Sequence, residues 1–300
     1  GEGSAHSCLE DLVIWMRYLR DDPEGLIARM RAPQRFLNGS ESFYGLGLFL
    51  DPWRGAQRVG HSGLWPGYLT DAVRYEAADV TLICISNCNA LEPGLINRRL
   101  AERLIPGLTP APTAASLDAA AWAAARASGL WLDPESLDAA EFRETAEGAP
   151  QFAYYGFEGP MIALSPTRLA IDNGRSEYRE VDISAAADGA VSLLCANGER
   201  VSLKRVEDLA PATDVAALAG TWRCPDLEGP LTIAVEGEAV RVETPAFRGH
   251  DWIATPLPGG VLRLDEKTGP WPRAFYVVGA PPDRLVLSGP RVRRLDFFRE

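Results

Sequence analysis

Past about residue 128 the texture of the chain changes, and this limits the fold more than any single residue does. Residues 129–300 consist of short alternating apolar runs between Gly, Pro and Asp turns. That is the period-2 pattern of half-buried strands. The stretch also repeats itself. Gly129-Leu-Trp131-Leu-Asp-Pro134 matches Gly220-Thr-Trp222-Arg-Cys-Pro225, and Leu164–Ile171 parallels Leu257–Leu264. Each copy closes on a strand pattern, Arg200–Val206 in the first and Arg291–Phe298 in the second. Two copies, separated by Leu209–Asp214, are too few for a solenoid. They predict two small antiparallel β-barrels, over 129–208 and 215–300, in which ring closure removes exposed sheet edges.

The first 107 residues read differently. Ser7-x-x-Glu10 has the form of a capping box, and Leu9, Leu12, Val13, Met16 and Leu19 follow at helical spacing, which predicts a helix over 7–20. Residues 44–50 and 56–61 read as two strands joined across 51–55, and residues 69–75 and 79–86 as two more. The apolar run Val80, Leu82, Ile83 to Ile85 predicts a strand buried on both faces. Asn89-x-x-Glu92 followed by Pro93 opens a second helix to about Leu104, with Pro106-Gly107 as its stop. A Pro-rich and then Ala-rich stretch, 108–128, reads as a linker.

Composition excludes several classes. A net charge of −11 with no basic stripe argues against nucleic acid as a partner. No run of about 18 apolar residues predicts a membrane helix. The five cysteines, Cys8, Cys84, Cys88, Cys195 and Cys224, lack zinc-ligand spacing. They read as reduced structural residues, Cys84 and Cys88 as small buried hydrophobes, which favours the cytoplasm over the periplasm. No metal or other cofactor is implied.

The chemistry concentrates in Val59-Gly-His61-Ser62-Gly63-Leu64-Trp65-Pro-Gly67. A β-type segment is expected to end at His61, with a glycine turn after it. The order around it is informative: a helix, Tyr44-Gly-Leu-Gly47, Gly-His-Ser-Gly, Pro66-Gly-Tyr68, two strands, then a closing helix. This resembles the last part of the catalytic domain of the serine β-lactamase and penicillin-binding-protein superfamily, whose third signature takes a His-x-Gly form. With two barrels following, the chain resembles the bacterial D-aminopeptidases, serine enzymes that release N-terminal D-residues from short peptides and amides.

The resemblance implies a partial α/β β-lactamase-like domain, an antiparallel sheet with helices, over 1–107. It implies that Gly63 leaves room for substrate along the strand, that the Leu64 N–H donates to an oxyanion, and that His61 faces the scissile group. Ser62 and Trp65 would line the cleft. A loop from the last barrel, Pro245–Trp252, would enter the site, with Asp251 meeting the substrate ammonium and His250 and Arg248 nearby. The implied partner is a small peptide or amide with an N-terminal D-residue; a homodimer is compatible with the reading.

The sequence departs from that family in one respect. It contains no Ser-x-x-Lys, Tyr-x-Asn or Ser-x-Asn, and its two lysines, Lys204 and Lys267, fall in barrel segments. The expectation is that an upstream segment carries the nucleophile, its lysine and the tyrosine, and that this chain is the C-terminal part of the enzyme. The alternatives are a non-catalytic binding module on the same scaffold, or an esterase, β-lactamase or D,D-carboxypeptidase. Leaving about 1,000 Å² of apolar surface uncovered forfeits on the order of 25 kcal/mol, more than the roughly 5–15 kcal/mol that holds a domain together. Residues 1–107 are therefore expected not to fold stably alone.

Overall fold

The computed structural model describes residues 5–110, 127–135, 139–146, 150–154, 157–172, 178–195, 197–206, 215–237, 239–245, 252–266, 274–280, 283–289 and 292–300. The chain divides into two compact units. One comprises residues 1–114 with 172–180 and 194–200, the other 115–171, 181–193 and 201–300. No helix among the described residues is long and apolar enough to cross a membrane.

The first unit is built on a four-stranded antiparallel sheet in sequential order: β1 (Pro52–Trp53), β2 (Ala56–Trp65), β3 (Tyr68–Tyr75) and β4 (Val80–Ser86). Helix α1 (Leu9–Asp21) buries Met16 and Leu19 against one face, in a cluster with Val59, Ala72, Leu48 and Ile27 of the short α2 (Leu26–Met30). Helix α3 (Pro93–Leu104) covers the other face, where Ala101 joins Val73, Tyr75 and Leu82.

Several local expectations are corrected. Helix α1 starts at Leu9 with Cys8 as its cap residue, and no side chain closes a capping box. Asp22 does the capping one helix later: it takes the left-handed conformation that ends α1, and its carboxylate accepts from the N–H groups of Ile27 and Ala28, both at 2.8 Å. Residues 44–50 are not a strand but a turn, held by single bridges from Tyr44 to Phe49 and from Phe49 to Gly60. Strand β2 does not end at His61; it runs to Trp65 and turns at Pro66-Gly67. Strand β4 is not buried on both faces, since Thr81 and Ile85 are exposed. All five cysteines are free thiols, and Cys88 is exposed rather than buried.

The second part forms two antiparallel, barrel-like sheets. In the nine-stranded one the first strand, Gly129–Leu132, pairs with the last, Arg200–Arg205. In the eight-stranded one Gly220–Arg223 likewise pairs with Val292–Arg299. The repeat in the sequence is realised side chain by side chain. Trp131 and Trp222 are both fully buried, and each indole N–H donates to the carbonyl four residues earlier, Ala127 at 2.8 Å and Leu218 at 3.0 Å. An arginine from the closing strand lies over each ring, Arg205 at 4.5 Å and Arg299 at 4.2 Å, and donates to the carbonyl three residues before the tryptophan. The other half of the repeat also matches. Counting Phe157–Pro160 and Ile162–Ala163 as one strand, Arg168–Asp172 is fifth in its sheet, as Val261–Glu266 is in the second.

Glu141 links the two sheets. It is buried on a strand of the first and accepts hydrogen bonds from the Arg263 guanidinium, at 3.0 Å, and the Tyr276 hydroxyl, at 3.1 Å, both on strands of the second. Burial, with the Glu141 charge beside it, drives the Tyr276 hydroxyl far above its ordinary pKa.

Candidate active site

Strand β2 is buried at Arg58, Val59 and Gly60 and emerges from cover at His61. It pairs with β3 along its length, His61 opposite Ala72, Ser62 opposite Asp71, Gly63 opposite Thr70 and Leu64 opposite Leu69. Antiparallel partners share a face. His61 and Gly63 therefore lie on the α1 side with Ala72 and Thr70, and Ser62 and Leu64 on the α3 side with Asp71 and Leu69.

The backbone alternates as well. Gly60 exchanges hydrogen bonds with Phe49, at 2.8 and 3.2 Å, on the side of β2 away from β3. Two residues on, the N–H and C=O of Ser62 point to that side, and after them those of Leu64. The Leu64 N–H is thus aimed at the strand's outer edge. Leu64 itself is 39 % exposed and Trp65 58 % exposed.

Gly63 has a structural reason of its own. A Cβ there would meet the Thr70 hydroxyl at 2.4 Å, so the space beside it is filled by the neighbouring strand. An open hollow is bordered by Ser62, Leu64, Thr70, Asp71, Glu92 and Gly94.

Two groups near the strand escape the sequence reading. Tyr44 places its hydroxyl 2.9 Å from Nε2 of His61, and Phe49 packs against both rings, at centroid distances of 4.8 and 5.1 Å. Reading residues 44–50 as a strand hid this, because a strand would not fold Tyr44 back over Phe49. On the α3 side lies a buried polar layer. Asp51 pairs with Arg58, and the Asn97 amide donates to the Asp71 carboxylate at 2.7 Å and to its backbone carbonyl at 3.0 Å. Burial pushes the Asp71 carboxyl above its ordinary value, which the Asn97 hydrogen bond and the charge of Arg58 only partly offset. Asp71 and Asn97 are single polar residues in apolar periodic patterns, and nothing local in the sequence pairs them.

Arg248, His250 and Asp251 lie outside the described residues, as does Lys267. Lys204 sits opposite Leu132 in the nine-stranded sheet. No group of three or more His, Cys, Asp or Glu side chains that could hold a metal ion occurs among the described residues.

No family model matches the chain. A D-aminopeptidase of Cereibacter sphaeroides (strain KD131 / KCTC 12085) is 28 % identical over all of the chain. The chain is thus similar to the D-aminopeptidases. A second, from Brucella anthropi (strain ATCC 49188), is 28 % identical over 80 % of the chain. The chain spans 57 % of the first relative's length, and the match covers 43 % of the second's. Among solved structures, the octameric penicillin-binding protein homologue from Pyrococcus abyssi aligns over 66 % of the chain and 46 % of its own, at 20 % identity and a TM-score of 0.30.

Proposed function

We propose that this chain forms part of a serine hydrolase that releases N-terminal D-residues from peptides and amides. The observation that carries the reading is the outward Leu64 N–H on a strand edge flanked by His61, in a chain similar along its whole length to a D-aminopeptidase. The nucleophile comes from a segment upstream of Gly1 bearing Ser-x-x-Lys and Tyr-x-Asn. Its serine oxygen bonds to the scissile carbonyl carbon, and the serine proton passes to the relay. The tetrahedral oxyanion is held by the Leu64 N–H and the nucleophile's own N–H. The C–N bond breaks, the amine leaves with the relayed proton, and water hydrolyses the resulting ester. Ser62 and Trp65, on the same strand as the Leu64 N–H, border the substrate. Support for an upstream partner segment comes from the apolar side chains the first unit leaves exposed, among them Ile14 and Trp15 on α1, Ile85 on β4 and Leu104 on α3.

The experiment pairs the denatured intact mass of the natively purified protein with an amidase assay. A co-purifying polypeptide with a Ser-x-x-Lys peptide, and hydrolysis of D-alanine amide over both L-alanine amide and N-acetyl-D-alanine amide, supports the proposal. Cleavage only of substrates ending in a free carboxylate makes the protein a carboxypeptidase instead. No turnover with the partner bound leaves the binding-module reading.

A further inference from the structure

The Tyr44–His61 contact lies beside the strand edge and has no part in the mechanism above. Its backbone is held from several sides. The Phe43 N–H donates to the Asn197 carbonyl at 2.6 Å, the Leu50 N–H donates to the Phe43 carbonyl at 2.7 Å, and the Ser42 hydroxyl both donates to the Tyr44 carbonyl and accepts its N–H, each at 3.0 Å. On the other side of the imidazole, Nδ1 lies within hydrogen-bond reach of the Ser62 carbonyl. A carbonyl oxygen can only accept, so Nδ1 carries the proton. A neutral ring then has a lone pair at Nε2, and the Tyr44 hydroxyl is the donor to it.

We propose that Tyr44 is a positioning residue that locks His61 as its Nδ1–H tautomer and thereby keeps the Ser62 carbonyl capped. The Ser62 carbonyl and the Leu64 N–H share the outer edge of β2. An uncapped carbonyl would repel a negatively charged oxygen approaching that N–H. With one of its two lone pairs engaged by Nδ1–H, the Ser62 carbonyl repels an oxyanion at the neighbouring Leu64 N–H less strongly. The chemical purpose rests on the hydrolase reading; the tautomer does not.

The test is 15N NMR of the full chain with labelled imidazoles, on the alkaline side of the histidine titration. Three histidines give three sets of signals, and His61→Gln identifies the one of interest. Wild-type His61 is expected to be protonated at Nδ1, with a coupling across the hydrogen bond from Nε2 to the Tyr44 hydroxyl proton. Tyr44→Phe is expected to move the tautomer ratio about fivefold towards Nε2–H, the size of one ordinary hydrogen bond, whereas Phe49→Leu leaves it in place. Dominant Nε2–H in the wild type, or a ratio unmoved by Tyr44→Phe, overturns the proposal. Should Tyr44→Phe not fold, the wild-type spectrum still decides. An unshifted tautomer alongside D-amide hydrolysis removes the role of Tyr44 and keeps the hydrolase; a shifted tautomer without hydrolysis does the reverse.

Discussion

A Cβ at position 198 would lie 2.4 Å from the Glu41 carbonyl oxygen and 2.7 Å from the Phe43 nitrogen, on a residue whose φ is already +89°. Neither neighbour can yield, because both are backbone. Gly198→Ala is therefore expected to cost about 2 kcal/mol or more, read as a lowered urea midpoint. It should also weaken the Phe43–Asn197 bond, visible as faster amide exchange at Phe43. Asp71 has the opposite sign. Its folded-state carboxyl titrates above its unfolded value, so its ionisation opposes folding: the favourable contribution is complete below the unfolded value and lost as pH rises through the folded one. Asp71→Asn, which keeps an acceptor for Asn97, is expected to raise Tm at pH 7, with the gain vanishing as pH falls towards the ordinary carboxylate value of 3.8. A gain that grew in acid would refute this account. Neither residue announces itself in the sequence. A glycine among many and an aspartate in a strand acquire meaning only from atoms distant along the chain.

Among elements, the tryptophan–arginine clasp recurs at matching offsets in both sheets, and each clasp joins the strand that opens the sheet to the one that closes it. Trp222→Ala is expected to cost about 3–5 kcal/mol and to abolish its near-ultraviolet circular dichroism signal. The link between the sheets is a different matter. Glu141→Ala takes an acceptor from the buried Tyr276 hydroxyl and leaves the Arg263 guanidinium to its pair with Asp265, a loss of about 1–3 kcal/mol. Differential scanning calorimetry should then resolve one transition into two. The clasps were foreshadowed by Gly-x-Trp at 129 and 220, because a repeated turn-plus-anchor survives in local sequence. Strands β3 and β4 and helix α3 were legible for the same reason, having strong periodicity and clear stops. The turn at 44–50, the capping by Asp22 and the extension of β2 to Trp65 were not. The Tyr44–Phe49 turn has the alternating composition of a strand, and only its contacts with Gly60 and His61 decide its path.

For the molecule as a whole, the exposed apolar side chains are concentrated in the first unit, on both helices that flank its sheet and on the sheet itself. Of the large apolar side chains described in the two barrel-like sheets, Trp131, Phe142 and Phe152 in one and Trp222 and Phe297 in the other are buried, while Ile253 and Phe298 are exposed. Isolated residues 127–300 are expected to unfold cooperatively in urea. Isolated residues 1–107 are expected to bind a hydrophobic dye and show no cooperative transition; a sharp one would refute the claim that this part needs a covering partner. One further consequence follows from the pairing of first and last strands. In each sheet the point where the chain enters lies beside the point where it leaves, Trp131 opposite Arg205 and Trp222 opposite Arg299. A unit with adjoining ends is a cassette: it can be spliced into a surface loop of another host, or cut open at a hairpin and rejoined at its old termini, without tearing a single ladder of hydrogen bonds.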